Sequence, residues 1–147
     1  MLRGVAETAA LGARIAASLG MGDAVALEGD LGAGKTTLAR AILTALGLLE
    51  DVPSPTFTLV QRYETPRLVV THFDLYRIEK DAELEELGLD EALAEGAALI
   101  EWPERAGTHL PADALHVQLA IIDETTRRVR LSGRARWEFL GAGGIES

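Results

Sequence analysis

The stretch LEGDLGAGKTTLAR, residues 27–40, decides the fold because it joins an apolar strand end, a glycine-rich turn and a helix start. Gly29, Gly34, Lys35 and Thr36 fill the fixed positions of the pattern G-x-x-x-x-G-K-[ST] without a gap. Where side chains are absent, backbone N–H groups can converge on an anion, and the helix that follows directs its positive dipole end to the same point. The stretch therefore predicts a phosphate-binding loop.

Individual residues of this loop have separate expected roles. Lys35 is expected to bridge the β- and γ-phosphates of a nucleotide, and the Thr36 hydroxyl to bind Mg²⁺. The predicted nucleotide-binding residues of the loop are Asp30, Leu31, Gly32, Ala33, Gly34, Lys35, Thr36 and Thr37. The other interpretation is an ordinary glycine-rich turn, which the preceding strand and the following helix disfavour.

Composition limits the kind of protein that this can be. The chain has 147 residues and 48% hydrophobic content, which suits one domain; we expect it to span residues 1–140, with a disordered tail at 141–147. No cysteine is present, so disulfides and thiolate metal sites are excluded and a reducing cytoplasm is the expected setting. A net charge of -9 disfavours nucleic-acid binding by this chain alone, and no apolar run approaches the ~20 residues that a membrane span needs.

Helical and strand patterns alternate along the chain. Helices are predicted from Glu7 to Leu19, from about Lys35 to a C-cap at Gly47, and in the acidic region 81–96 with a break near Gly88. Strands are predicted at 24–28, 57–63, 68–78 and 97–102, with a turn at 64–67, and a period-two hairpin at 115–133. This order predicts an α/β layered fold with a mainly parallel sheet and a C-terminal antiparallel hairpin.

A phosphate loop also needs a carboxylate from a neighbouring strand end. Asp74 ends LVVTHFD and Glu101 ends AALIE, and position alone does not rank the two. Thr56, in the rigid segment SPTFTLV, is a candidate γ-phosphate sensor or water-positioning group, although most such segments are ordinary turns. His72 precedes Asp74 by two residues, so both share one strand face, and we expect His72 to make a structural hydrogen bond rather than to transfer protons.

Five motifs occur in a fixed order: GDLGAGKTTL, SPTFTLV, HFDLYR, EELGLDE and IEWPER. Together they closely resemble the bacterial TsaE family, formerly called YjeE, the small ATPase needed to form threonylcarbamoyladenosine (t6A) on tRNA. The similarity extends from about Glu7 to the final hairpin. It implies a compact α/β, three-layer P-loop NTPase-type fold and an ATPase that uses ATP and Mg²⁺. It also implies that the chain works with the catalytic protein TsaD and its paralogue TsaB, so that tRNA is contacted only through the complex.

The resemblance also implies residue roles. Lys35 and Thr36 match the phosphate and magnesium positions, and Glu101 matches the second magnesium ligand. Asp74 matches an acid needed for turnover, which ranks the two acids. The family's switch-like threonine corresponds to Thr56. Trp102 is expected beside the site, with core packing as an equal alternative, and the motif is completed by Tyr76 and Arg77, whose guanidinium is expected to pair with a carboxylate or contact the partner protein.

Three other functions stay open on the residues alone. A switch GTPase would need the Asn-Lys-x-Asp guanine reader, and this sequence contains no asparagine. A small-molecule kinase would need a lid and an acceptor pocket, and no Arg-rich lid stands out. A non-catalytic adaptor gated by nucleotide would dock its partner on ATP binding alone. Arg127 and Arg128, near the hairpin tip, are interpreted as a solvated pair, with contact to the nucleotide as the alternative.

Overall fold

The computed structural model describes residues 2–29, 34–48, 60–75, 87–106, 110–111, 113–124 and 126–133. The predicted strand portions at 57–59 and 76–78, the acidic segment 81–86 and the tail at 141–147 lie outside these residues. Among these residues, every helix is too short or too polar to span a bilayer.

Seven strands and three α-helices make up the described part of the chain. The strands are β1 (Leu2–Arg3), β2 (Ala24–Glu28), β3 (Val60–Glu64), β4 (Val69–Asp74), β5 (Ala97–Glu101), β6 (Leu115–Ile121) and β7 (Thr126–Ser132). The helices are α1 (Val5–Ser18), α2 (Lys35–Ala45) and α3 (Leu89–Glu95), and a 3₁₀ turn, Pro103–Arg105, follows β5. The predicted first helix is thus confirmed, shifted by one or two residues, whereas β1 was not predicted.

All seven strands form one sheet in the order β1-β7-β6-β2-β5-β4-β3. The four central strands, β6, β2, β5 and β4, run parallel to one another. Antiparallel pairs flank them: β3 with β4 on one side, and β6 with β7 and β7 with β1 on the other. The α/β prediction, with its parallel sheet and C-terminal antiparallel hairpin, is confirmed.

Alternating side chains of the sheet pack into two apolar clusters, one on each face. On the first face, Val25, Leu27 and Leu99 pack with the apolar sides of α1 and α2. On the opposite face, Phe73 and Ile100 pack with α3 and the 3₁₀ turn. Because period-two side chains point to opposite faces, β2, β5 and β4 contribute to both clusters, which gives the three layers.

Four residues lie just before the amino ends of β2, β4 and β5, and we call this group the amino edge of the sheet: Gly20, Asp23, Arg67 and Gly96. Arg67 donates hydrogen bonds to the carbonyl oxygens of Ala16 (2.5 Å) and Leu19 (2.6 Å), at the C-terminal end of α1. Asp23 Oδ2 accepts a 2.7 Å hydrogen bond from the Gly20 N–H. Gly96 passes so close to β4 that an added Cβ would lie 2.0 Å from the Val69 carbonyl oxygen.

Strand β3 is tied to α3 by a surface ion pair. The Arg62 guanidinium donates to Glu95 Oε1 at 3.1 Å and to Glu64 Oε1 at 2.6 Å. These hydrogen bonds, above all the one to Glu95, raise the pKa of Arg62. These ion pairs are solvent-exposed and lie at β3, the strand at the opposite end of the sheet from β1 and β7.

Candidate functional site

The glycine-rich turn lies between the end of β2 and the first residue of α2. Gly34, the residue before α2, has φ 101° and ψ 16°, a left-handed conformation that favours glycine. Because glycine has no side chain, it does not cap the first N–H groups of α2 and leaves them to an external acceptor. Four of the predicted binding residues, Asp30, Leu31, Gly32 and Ala33, lie outside the described residues.

Lys35 is buried at the first position of α2, with a relative exposure of 5%. Its Nζ donates a 2.6 Å hydrogen bond to the Gly29 carbonyl oxygen, across the glycine-rich turn. The same ammonium lies 3.7 Å from the centroid of the Trp102 ring, well within the range of a cation–π contact. Trp102 reaches this position through a left-handed backbone, φ 60° and ψ 53°, immediately after β5.

Thr36, the next residue of α2, faces the carboxylate of Glu101. The Thr36 hydroxyl lies 3.3 Å from Oε2 and 3.5 Å from Oε1 of Glu101, a long contact for an O–H donor. Glu101 is itself buried, with 4% exposure, at the end of β5, the strand directly beside β2. The turn and the neighbouring strand thus bring a hydroxyl and a carboxylate together from positions 65 residues apart.

Asp74 and Glu101, the two candidate acids, are register partners across the parallel pair β4 and β5. The Leu75 N–H donates to the Glu101 carbonyl oxygen at 3.1 Å, which keeps the two strands paired to their ends. Asp74 is half-buried and one strand further from β2 than Glu101 is. Both acids therefore lie at one edge of the sheet, and Glu101 is the one in contact with Thr36.

His72 makes the predicted structural hydrogen bond, and the sequence pattern missed only its partner. Its Nε2 lies 2.6 Å from Glu101 Oε2, and both side chains are buried, with exposures of 0% and 6%. The sequence pattern placed His72 on the face of Asp74 and predicted a structural hydrogen bond without naming its partner. That partner is set by the parallel register, which aligns His72 with Leu99, two residues before Glu101.

A second polar network on the opposite side of β2 was also missed. Glu28, the last residue of β2, accepts a hydrogen bond from Gln118 Nε2 at 2.9 Å and lies 3.0 Å from His116 Nδ1. Both partners belong to β6, the parallel neighbour of β2. Sequence alternation in β6 was a signal for the strand, but it does not indicate which strand lies beside it.

Several predicted site residues are not among the side chains grouped around Lys35 and Glu101. Thr37 is exposed on α2, and Thr56, Tyr76 and Arg77 lie outside the described residues. Arg127 donates to the carbonyl oxygens of Asp123 and Thr126 within the hairpin turn. In the part of the chain that the structure describes, no group of three or more His, Asp or Glu side chains is arranged to hold a metal ion by itself.

A parallel sheet in which a central strand leads through a glycine turn into a helix, beside an acidic strand end, defines the P-loop class of α/β proteins. The chain matches the family described as "Threonylcarbamoyl adenosine biosynthesis protein TsaE" over residues 2–129. It belongs to the TsaE family.

Individual relatives agree with this assignment. The chain is 41% identical to the tRNA threonylcarbamoyladenosine biosynthesis protein TsaE of Rickettsia bellii over 122 residues, which are 82% of this chain and 85% of that protein. It is 37% identical to the protein of the same name from Bacillus subtilis over 136 residues, 91% of this chain and 85% of the relative. The crystal structure of Bacillus subtilis YdiB is similar with a TM-score of 0.77, 31% identity, and coverage of 95% of this chain and 88% of YdiB.

Proposed function

We propose that this chain is a Mg²⁺-dependent ATPase of the cytoplasm that supports t6A modification at position 37 of tRNA. The observation that carries the proposal is the approach of the Thr36 hydroxyl to the Glu101 carboxylate, 3.3 Å, beside a buried Lys35 at the start of α2. Phosphate-loop enzymes need these three groups together, because phosphoryl transfer depends on positioning and on charge stabilisation. Membership of the TsaE family supports the assignment to t6A biosynthesis.

The donor set beside the loop suits a magnesium ion. Mg²⁺ prefers oxygen ligands and is usually held by one or two protein groups together with nucleotide phosphates and water. The Thr36 hydroxyl and a Glu101 carboxylate oxygen are two such ligands, contributed by α2 and by β5. When bound there, the ion would neutralise charge on the phosphate oxygens.

The chain's own groups then divide the work. Lys35, which is held at the Gly29 carbonyl, would exchange that acceptor for phosphate oxygens of ATP. The first N–H groups of α2 would donate to the same phosphates. Asp74, at the neighbouring strand end, would orient water for attack on the γ-phosphate, with Thr56 as the sensor of that phosphate. Trp102 would border the site through its contact with Lys35.

Turnover by the chain alone should be slow. No arginine finger stands out in the sequence, and such a residue is worth 10³–10⁵ in rate when a partner supplies it. The expected partners are TsaD and TsaB of the threonylcarbamoyl-transferase complex, and the expected contact with tRNA is through them, since the chain has a net charge of -9. Hydrolysis would reset this complex between cycles rather than enter the tRNA chemistry.

ATP hydrolysis measured with and without the TsaD–TsaB pair tests the proposal. We expect Lys35→Ala and Glu101→Ala each to lower the rate by about 10²–10³-fold, because each removes a group that stabilises transition-state charge. The matched control is Glu104→Ala, an exposed glutamate three residues after Glu101, which should keep the activity of the unmodified chain. A full rate without partners, or equal rates for all variants, would contradict the proposal.

The other candidate functions predict different results in the same assay. An adaptor gated by ATP binding would support t6A formation even as Asp74→Ala. A small-molecule kinase would release little phosphate in the absence of an acceptor, and a switch GTPase would bind GTP more tightly than ATP. We expect loss of t6A formation in Asp74→Ala, phosphate release to water, and a preference for ATP.

A further inference from the structure

We propose that His72 is a positioning residue that holds Oε2 of Glu101 and so disfavours binding of a magnesium ion through both carboxylate oxygens. The inference rests on the proposed function, because it takes Glu101 as a ligand of that ion. It assigns to His72 a role in cation binding that acts through Glu101 and not by contact with nucleotide or metal.

The distances show which partner holds the carboxylate. His72 Nε2 lies 2.6 Å from Oε2, whereas the Thr36 hydroxyl lies 3.3 Å from the same Oε2 and 3.5 Å from Oε1. A hydrogen bond to an ionised carboxylate requires the His72 proton to be on Nε2, and such charge-assisted bonds are the short and strong ones. His72 is therefore the dominant constraint on the orientation of Glu101, and the looser contact is the one on the side of the loop.

Packing alone does not explain a histidine at this position. His72 has no exposed surface, and in the described part of the chain its Nδ1 is buried without a hydrogen-bond partner. A buried polar atom without a partner is unfavourable, and the β4 neighbours Val70 and Phe73 are apolar. The hydrogen bond to Glu101 is what His72 provides that an apolar side chain would not.

Holding one oxygen of a carboxylate also affects which cation fits. Ca²⁺ accepts carboxylates through one or both oxygens, whereas the smaller Mg²⁺ demands near-ideal octahedral geometry. With Oε2 bound to His72, coordination through both Glu101 oxygens is disfavoured, which suits Mg²⁺. Outer partners of metal ligands typically change metal affinity by about 10–100-fold when they are removed.

Two amides of different length give a matched test. In His72→Gln, the longer side chain can place its NH₂ group near the position of Nε2, whereas in His72→Asn the NH₂ group is too short to reach Glu101. For the purified full chain we would titrate a fluorescent ATP analogue at increasing Mg²⁺, at increasing Ca²⁺, and in EDTA. Thermal unfolding without nucleotide would establish that each variant is folded.

We expect His72→Asn to raise the half-saturating Mg²⁺ concentration about 10–100-fold and to narrow the preference for Mg²⁺ over Ca²⁺. His72→Gln should stay near the unmodified chain, and affinity in EDTA should be the same for all. A merely structural role would lower thermal stability and affinity in EDTA together. If His72→Asn does not fold, His72→Leu makes the same comparison, because it also lacks the donor.

Two results would overturn the inference. One is an unchanged Mg²⁺ requirement in folded His72→Asn or His72→Leu, and the other is a Gln variant as impaired as the variants without a donor. These results differ from failure of the proposed function, in which the unmodified chain itself would bind no ATP analogue at any Mg²⁺ concentration.

Discussion

The amino edge and the carboxyl end of the same parallel sheet both contain polar side chains, but these side chains have different kinds of partner. At the amino edge, Arg67 and Asp23 bond to backbone groups, the carbonyl oxygens of α1 and the Gly20 N–H. At the carboxyl end, Glu101 bonds to two other side chains, His72 and Thr36, and Lys35 bonds to the Gly29 carbonyl of the phosphate loop. The partners at the amino edge belong to the fold itself, whereas Lys35, Thr36 and Glu101 would exchange theirs for nucleotide and metal, so the first edge should govern stability and the second binding.

Gly96→Ala, at the amino edge, should cause the largest loss of stability. A Cβ at Gly96 would lie 2.0 Å from the Val69 carbonyl oxygen and 2.8 Å from its carbonyl carbon, and backbone atoms cannot move aside as a side chain can. We expect the free energy of unfolding to fall by about 3 kcal/mol or more, measured by urea denaturation. ATP affinity of the protein that remains folded should not change.

Gly20→Ala is the matched control at the same edge. There the nearest atom to an added Cβ is Asp23 Oδ2 at 3.7 Å, an ordinary contact. Replacing a glycine at a compatible backbone position changes stability little or raises it by about 0.4–1 kcal/mol. Equal losses in the two variants would mean that the close approach to β4 is not the cause.

Arg67→Met should cause the next largest loss of stability. The substitution keeps much of the aliphatic stem but removes the donors to the carbonyl oxygens of Ala16 and Leu19 at the end of α1. The Ala16 carbonyl keeps its hydrogen bond from the Leu19 N–H, and losing two hydrogen bonds at about 0.5–1.5 kcal/mol each should cost about 1–3 kcal/mol, again read from urea denaturation.

Arg128→Met, at an exposed position of β7, is the control for Arg67→Met and should stay within about 0.5 kcal/mol. Reduced ATP affinity in Arg67→Met with unchanged stability would contradict the division between the two edges.

Local sequence signals predicted most of the fold. The apolar spacing of Leu11, Ile15 and Leu19 indicated α1, and period-two alternation indicated the C-terminal hairpin. Strand β1 was missed because two residues carry no periodicity, and it exists only through pairing with Arg127 and Thr126 of β7. The order of the strands likewise depends on contacts between distant segments, which no local pattern encodes.

The candidate site was predictable only where chemistry is local. The spacing of Gly29, Gly34, Lys35 and Thr36 indicated the loop without further information. His72 and Glu101 are 29 residues apart in sequence, and only the register of β4 on β5 brings them together. The sequence pattern therefore did not predict their contact. The contact between Lys35 and Trp102 depends on a left-handed backbone at a tryptophan, a conformation that residue propensities argue against.

The contact between Lys35 and Trp102 gives the smallest expected effect and the most direct test of whether binding groups also contribute to stability. A lysine over an aromatic face is worth about 0.5–1 kcal/mol where water is near and more where it is excluded, and Lys35 is 5% exposed.

Trp102→Leu should therefore lower the free energy of unfolding of the nucleotide-free protein more in the presence of Lys35 than in Lys35→Met. A double-mutant cycle of urea denaturation curves isolates that difference from the loss of packing, which both backgrounds share. We expect a coupling of about 1 kcal/mol, smaller than the effect of Arg67→Met. A coupling of zero would mean that the Trp102 ring does not help to hold Lys35. A coupling larger than the effects of the amino-edge variants would contradict the division of the two edges into stability and binding.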